Sequence, residues 1–149
     1  MKIQSYTMVG ALLVITLFGV ATAKAQSANQ RFTANIPFAF SVGNEKLPAG
    51  EYEVMIVNPS SDQRVLRIRS LHGTESAMLR THAVMSSNSQ VDAKLVFRGY
   101  GDSYFLAQAW TGFDNTGLEA PRSRSENATR NESVAIQQRT ESVRLERGQ

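Results

Sequence analysis

Apolar and polar residues alternate with period two along most of residues 31–110, the pattern of strands that bury one face and wet the other. In the first run Phe32, Ala34, Ile36, Phe38, Phe40 and Val42 interleave with Thr33, Asn35, Pro37, Ala39 and Ser41. Pro37 has no N–H to give a ladder, which predicts an edge or bulged strand. Turn residues at Gly43-Asn44 and Pro48-Ala-Gly50 precede a second strand with Tyr52, Val54 and Ile56 on its apolar face. A third strand, Arg64–Ser70, turns Leu66 and Ile68 inward and Arg67 and Arg69 to water. His72-Gly73 leads into Glu75–Met85, where Ala77, Leu79, Thr81 and Ala83 share a face. Lys94–Arg98 buries Leu95 and Phe97, and Gly99-Tyr-Gly-Asp102 is a hairpin signal. The last strand, Ser103–Trp110, is apolar on both faces (Tyr104, Phe105, Leu106, Trp110), so it is expected to be covered on both sides, with Trp110 in the core.

Six strands at this spacing predict an all-β, mainly antiparallel domain, a small sandwich or barrel of about six to eight strands. An outer-membrane barrel fits poorly, because the outward positions of these strands hold Arg67, Arg69, Lys94 and Arg98 where lipid-facing strands are apolar. The pattern fades at Pro121. Ser123-Arg-Ser-Glu126 has the form of a capping box and predicts a short helix from about Ser125. Beyond it the apolar residues are few, Val134/Ile136 and Val143/Leu145. The expectation is a polar, partly disordered tail whose removal after Arg130 leaves the melting temperature nearly unchanged.

Upstream of the strands lies a different pattern. Lys2 precedes a run of 13 mostly apolar residues, Met8 to Val20, and Ala23-Lys-Ala25 follows with small residues where a signal peptidase reads them. The run is short of the roughly 20 residues of a comfortable membrane span. These features predict an exported protein cut between Ala25 and Gln26, giving a signal peptide at 1–25, a β domain at 26–120 and a helix with a tail at 121–149. Processing removes Lys2 and Lys24, so the formal net charge falls from +3 to +1. That balance argues against nucleic acid, whose phosphates call for clustered excess cations. The chain has no cysteine, which excludes disulfides, thiolate metal sites, a cysteine nucleophile and a lipidated first residue. No second run approaches spanning length, so the mature chain is expected in the periplasm or outside the cell.

Three stretches, Ile36-Pro-Phe-Ala-Phe-Ser-Val-Gly-Asn44 with Leu47-Pro-Ala-Gly-Glu-Tyr52, Lys94-Leu-Val-Phe-Arg-Gly-Tyr-Gly-Asp-Ser-Tyr-Phe-Leu106, and Pro121-Arg-Ser-Arg-Ser-Glu126, resemble a family of short exported proteins present in many copies in acidobacterial soil bacteria. The resemblance runs from about Phe32 to Arg130. It implies export and a β domain, and it brings no activity, cofactor or catalytic residue with it. The chain departs from that family at Asn127-Ala-Thr-Arg-Asn131, where an Ala/Glu/Arg/Leu-rich helix is usual.

Few residues suggest chemistry. His72 and His82 lack the companions and spacing of a metal site. There is no Gly-x-Ser-x-Gly elbow and no phosphate-binding glycine loop. Glu51 and Glu53 share a strand face about 6.5–7 Å apart, a spacing a carboxylate-dependent hydrolase would use. The stronger candidates are Arg64, Arg67, Arg69, Arg80 and Arg98, all on predicted strands, where a sheet can gather guanidinium groups toward carboxylate or phosphate. The reading is a non-catalytic binding or structural domain of the envelope or extracellular space, with no cofactor. Its partner would be an anionic glycan or lipid, and the hydrolase is the alternative.

Overall fold

The computed structural model describes residues 31–59, 63–88, 91–132 and 138–148. The expected signal peptide, its expected cleavage point at Ala25–Gln26 and the pair Val134/Ile136 lie outside them. The described residues form eleven strands and one helix: β1 Arg31–Ile36, β2 Phe40–Val42, β3 Glu45–Leu47, β4 Gly50–Ile56, β5 Arg64–Ser70, β6 Ser76–Met85, β7 Lys94–Tyr100, β8 Ser103–Trp110, β9 Thr116–Glu119, α1 Arg124–Glu132, β10 Arg139–Arg144 and β11 Glu146–Arg147. The fold is all-β and mainly antiparallel, as the alternation predicts.

All strands join one sheet in the order β10-β7-β8-β9-β6-β5-β4-β1-β11, and β2 pairs with β3 and, in parallel, with β8. The two ends of that order are halves of one segment. β10 pairs with β7 from Arg139↔Gly99 to Arg144↔Lys94, and β11 pairs with β1 at Phe32↔Arg147 and Thr33↔Glu146. Leu145 stands between the halves, its side chain in the core and its N–H bonded to Ala93 O at 2.9 Å. The sheet therefore rolls until its path returns to its start.

One apolar cluster fills the roll. Phe32, Ile36, Tyr52, Val54, Ile56, Leu66, Ile68, Leu95, Phe97 and Leu106 belong to it, each on the inward parity of its strand. Phe40 sets its ring edge-on against both Tyr52 and Phe97, at centroid distances of 5.2 and 5.4 Å. Such pairs add about 0.5–1.5 kcal/mol each beyond area burial. Tyr52 is the polar member. Its hydroxyl donates to Pro48 O at 2.7 Å, and burial, then the Glu75 charge, raise its pKa above the ordinary phenol value.

The sequence reading and the structure part company at three places. Pro37 ends β1 outright, so the first predicted strand is two, and β2 turns away to pair with β3 and β8. Trp110 is buried (7 % exposed) but lies outside the core cluster. The β7–β8 register shifts so that Val96 faces Gln108 while Phe97 faces Leu106, leaving Ala107 as an extra residue. A bulge of one residue inverts the alternation beyond it, so Leu106 and Ala109 point inward and Trp110 outward. Its ring covers Gly117 of β9, where an added Cβ would sit 2.7 Å from the indole, and its Nε1 donates to Gln108 Oε1 at 3.1 Å.

The third difference is the tail. Residues 139–147 are strands, and they supply the stretch that joins β7 to β1. The expected boundary at residue 120 is thus corrected, because Val143 and Leu145 place apolar side chains on the core from one face of a ladder-bonded strand. The reading that the chain survives loss of everything after Arg130 is replaced by its opposite. Leu145→Ala is expected to cost about 2–5 kcal/mol, and a chain ending at Arg130 to lose its cooperative transition. Urea denaturation followed by near-ultraviolet circular dichroism checks both; a loss under about 1 kcal/mol for Leu145→Ala would return the segment to the status of a tail.

Candidate anion-binding face

The five arginines do not gather as one set. Three of them do. On β5 the inward residues are Leu66 and Ile68, so Arg67 and Arg69 face out; on β6 Ala77 and Thr81 are buried, so Met78 and Arg80 face out. Register then sets neighbours across the sheet: Met55, Arg67 and Met78 form one row, Glu53, Arg69 and Ser76 the next, and Arg80 stands opposite Val65. Arg67 and Arg80 are diagonal neighbours, a relation of about 7–8 Å between Cα positions in antiparallel sheets.

Charge divides this face. Glu53 lies between Arg69 (3.1 Å) and Arg31 (3.6 Å), which matches that row. Arg67 and Arg80 have no carboxylate within ion-pair distance among the described residues. Exposed apolar side chains stand beside them, Met78 at 60 % and Val57 at 45 % exposure, with Glu53 and Arg69 in the row next to Arg67 and His82 two residues beyond Arg80. Two guanidinium groups, each a planar fork of five donors, thus stand beside thioether and aliphatic side chains.

Arg64 has the parity of Leu66 and Ile68 and sits at the strand end opposite Thr81, whose hydroxyl donates to Arg64 O at 2.9 Å. It does not share the face. Arg98 points outward on β7 as expected, but the outside there is covered by α1. Arg98 Nε donates to Glu126 Oε1 at 2.5 Å, and Nη2 donates to Glu126 Oε2 at 3.1 Å and to Ala120 O at 3.4 Å. The Tyr100 hydroxyl donates to Glu126 Oε1 at 3.2 Å. Arg98 is a buried structural group whose Nε and Nη2 donors are taken by Glu126 and Ala120. It is corrected from the list of anion-binding candidates.

Glu126 also explains the helix start. Ser123 Oγ accepts from Glu126 N–H at 3.1 Å, so the serine half of the predicted capping box is made. The carboxylate half is diverted inward to Arg98, and Ser125 Oγ reaches Gly43 O at 3.4 Å in the β2–β3 turn. The nine-residue helix is held by these polar anchors, since its only buried residue is Glu126.

The carboxylates of the hydrolase reading sit apart in role. Glu51 Oε2 is 2.8 Å from His72 Nε2, and Glu53 is the acceptor between two arginines. His82 lies on the outer side of β6, opposite Glu119. Among the described residues no three His, Asp or Glu groups are placed to hold a metal ion, and no helix is long and apolar enough to cross a membrane. No known family model, curated protein or solved structure matches this chain.

A buried bidentate pair predicts an asymmetric mutational response. Glu126→Ala leaves a buried guanidinium without its counter-ion and is expected to cost about 3–5 kcal/mol. Arg98→Met with Glu126→Leu, which removes both charges, is expected to recover most of that loss. Equilibrium urea unfolding of the three chains measures it, and a double variant no more stable than Glu126→Ala would contradict this assignment.

Proposed function

We propose that this chain is an exported, non-catalytic binding domain of the cell envelope or extracellular space, and that Arg67 and Arg80 hold the phosphate or carboxylate of an anionic lipid or glycan. The observation that carries the reading is the pair of unmatched guanidinium groups beside exposed Met78 and Val57. Arg98 is matched by Glu126 and Arg69 by Glu53. Arg67 and Arg80 are left as neighbouring cations on one strand surface, which offers a place for an external anion. The interleaved apolar side chains favour an amphiphile, with its charge on the arginines and its hydrocarbon against Met78.

Export rests on Lys2, the apolar run to Val20 and Ala23-Lys-Ala25. Localisation follows from it as part of the same proposal. The hydrolase alternative is less well supported, because both carboxylates already have partners, Glu53 in Arg31 and Arg69 and Glu51 in His72.

Co-sedimentation with phosphatidylglycerol vesicles, phosphatidylcholine vesicles and a soluble polyuronate separates the sources of the anion. Binding to one of the anionic probes is expected, weakened at least about tenfold by Arg67→Gln with Arg80→Gln and untouched by Arg64→Gln. Equal binding by the double variant, or equal affinity for phosphatidylcholine, would overturn the assignment.

A further inference from the structure

On β2, Phe40 and Val42 point into the core, so Ser41 between them points outward. Register sets Lys46 of β3 and Phe105 of β8 in the same outward row as Ser41. The helix α1 stands over this part of the sheet, pinned by Glu126 to Arg98 and by Ser125 Oγ to Gly43 O at 3.4 Å. Between helix and strands lies a groove of about 510 Å³. That is within the range of roughly 300–1,000 Å³ that small-molecule sites occupy. Small side chains, Ala39, Ser41 and Ser103, keep its floor low.

Ser41 carries the most information. It is 6 % exposed, and its hydroxyl makes no hydrogen bond among the described residues. No fully buried side-chain polar atom there lacks a partner. The small part of Ser41 left open therefore includes Oγ, and it opens to the groove that the residue lines. A hydroxyl with so little access to water is poorly solvated, so a ligand group that bonds it replaces little. Ser103 and Thr129 line the same groove, and their hydroxyls are likewise free among the described residues. Thr129 follows Ser125 by one turn on the same face of α1. The charged members are one of each sign, Lys46 and Asp102.

We propose that this groove binds a short neutral saccharide. A hydroxyl is at once donor and acceptor, and several together are best met by ligand groups that also do both. Sugar hydroxyls do, whereas a carboxylate only accepts and an ammonium only donates. Lys46 against Asp102 leaves no net charge that would favour an anion or a cation. Ala39 and Pro48 offer apolar surface to the C–H face of a sugar ring. The groove is independent of Arg67 and Arg80, which stand on β5 and β6.

The test titrates the intact chain with maltose, cellobiose, lactose and N,N′-diacetylchitobiose, followed by amide nitrogen–proton correlation spectra. At least one of these sugars is expected to give saturable shifts at Ser41, Ser103 and Thr129. Ser41→Ala is expected to weaken that binding at least about fivefold and to leave the melting temperature unchanged, since its hydroxyl has no partner in the free protein to lose. Thr129→Val, on the helix wall, gives the same reading should Ser41→Ala fail to fold. Arg67→Gln with Arg80→Gln is expected to leave sugar binding as it was, which separates this site from the arginine face. Absence of saturable shifts with all four sugars, shifts confined to other strands, or undiminished binding by both hydroxyl variants would overturn the proposal. So would tighter binding of glucuronate or glycine than of the best neutral sugar.

Discussion

A sheet that rolls to enclose a core must do something with its first and last edges, and this protein gives both to a single C-terminal segment. Arg139–Arg144 lies on β7, Glu146–Arg147 lies on β1, and Leu145 between them turns into the core. The rest of the architecture serves the delivery of that segment. After β9 the chain must travel back over the outer surface of β7 and β8, and α1 is the vehicle. Its exposed sequence gives it little apolar adhesion, so it is pinned by a buried ion pair. Buried charges are costly unless matched, and here the carboxylate takes two guanidinium bonds and a tyrosine hydroxyl, while a backbone carbonyl takes a further bond from the arginine. Among the described residues no buried side-chain polar atom lacks a partner.

Most of the strands were legible from alternation, because each has one wet and one buried face. Tyr52, Val54 and Ile56, or Leu66 and Ile68, announce themselves by period alone. The failures have local causes. Trp110 changed faces because a bulge at Ala107 inserts one residue, and period-two reasoning cannot see an insertion that sterics at one register place permits. β10 was hidden because it is an edge strand of the roll. Its inward positions are Glu141 and Val143, neither fully buried, and only Leu145 just beyond it is, so its composition is that of a surface. β9 was too short and held a glycine chosen for the indole above it.

The candidate residues were legible as a list and not as a place. Parity alone separates Arg64 from Arg67 and Arg69, and register alone sets Arg80 beside them. Arg98 looked like its neighbours because outward parity is all a sequence reveals; that the outside is itself covered depends on a helix twenty-eight residues away. The capping signal was the clue available, since Glu126 was marked as a residue with a polar task. Arg67 and Arg80 remain as neighbouring cations with no carboxylate in ion-pair distance among the described residues.

Native-state amide hydrogen exchange along the C-terminal segment tests the central claim most directly. If the segment closes the sheet, the amides of Glu141, Val143 and Leu145, which face β7, should exchange only through global unfolding, with the same opening free energy as Leu95 and Phe97. Exchange of those three amides at the rate of an unstructured chain, with β1 and β7 still protected, would show that the core stands without them and contradict this account.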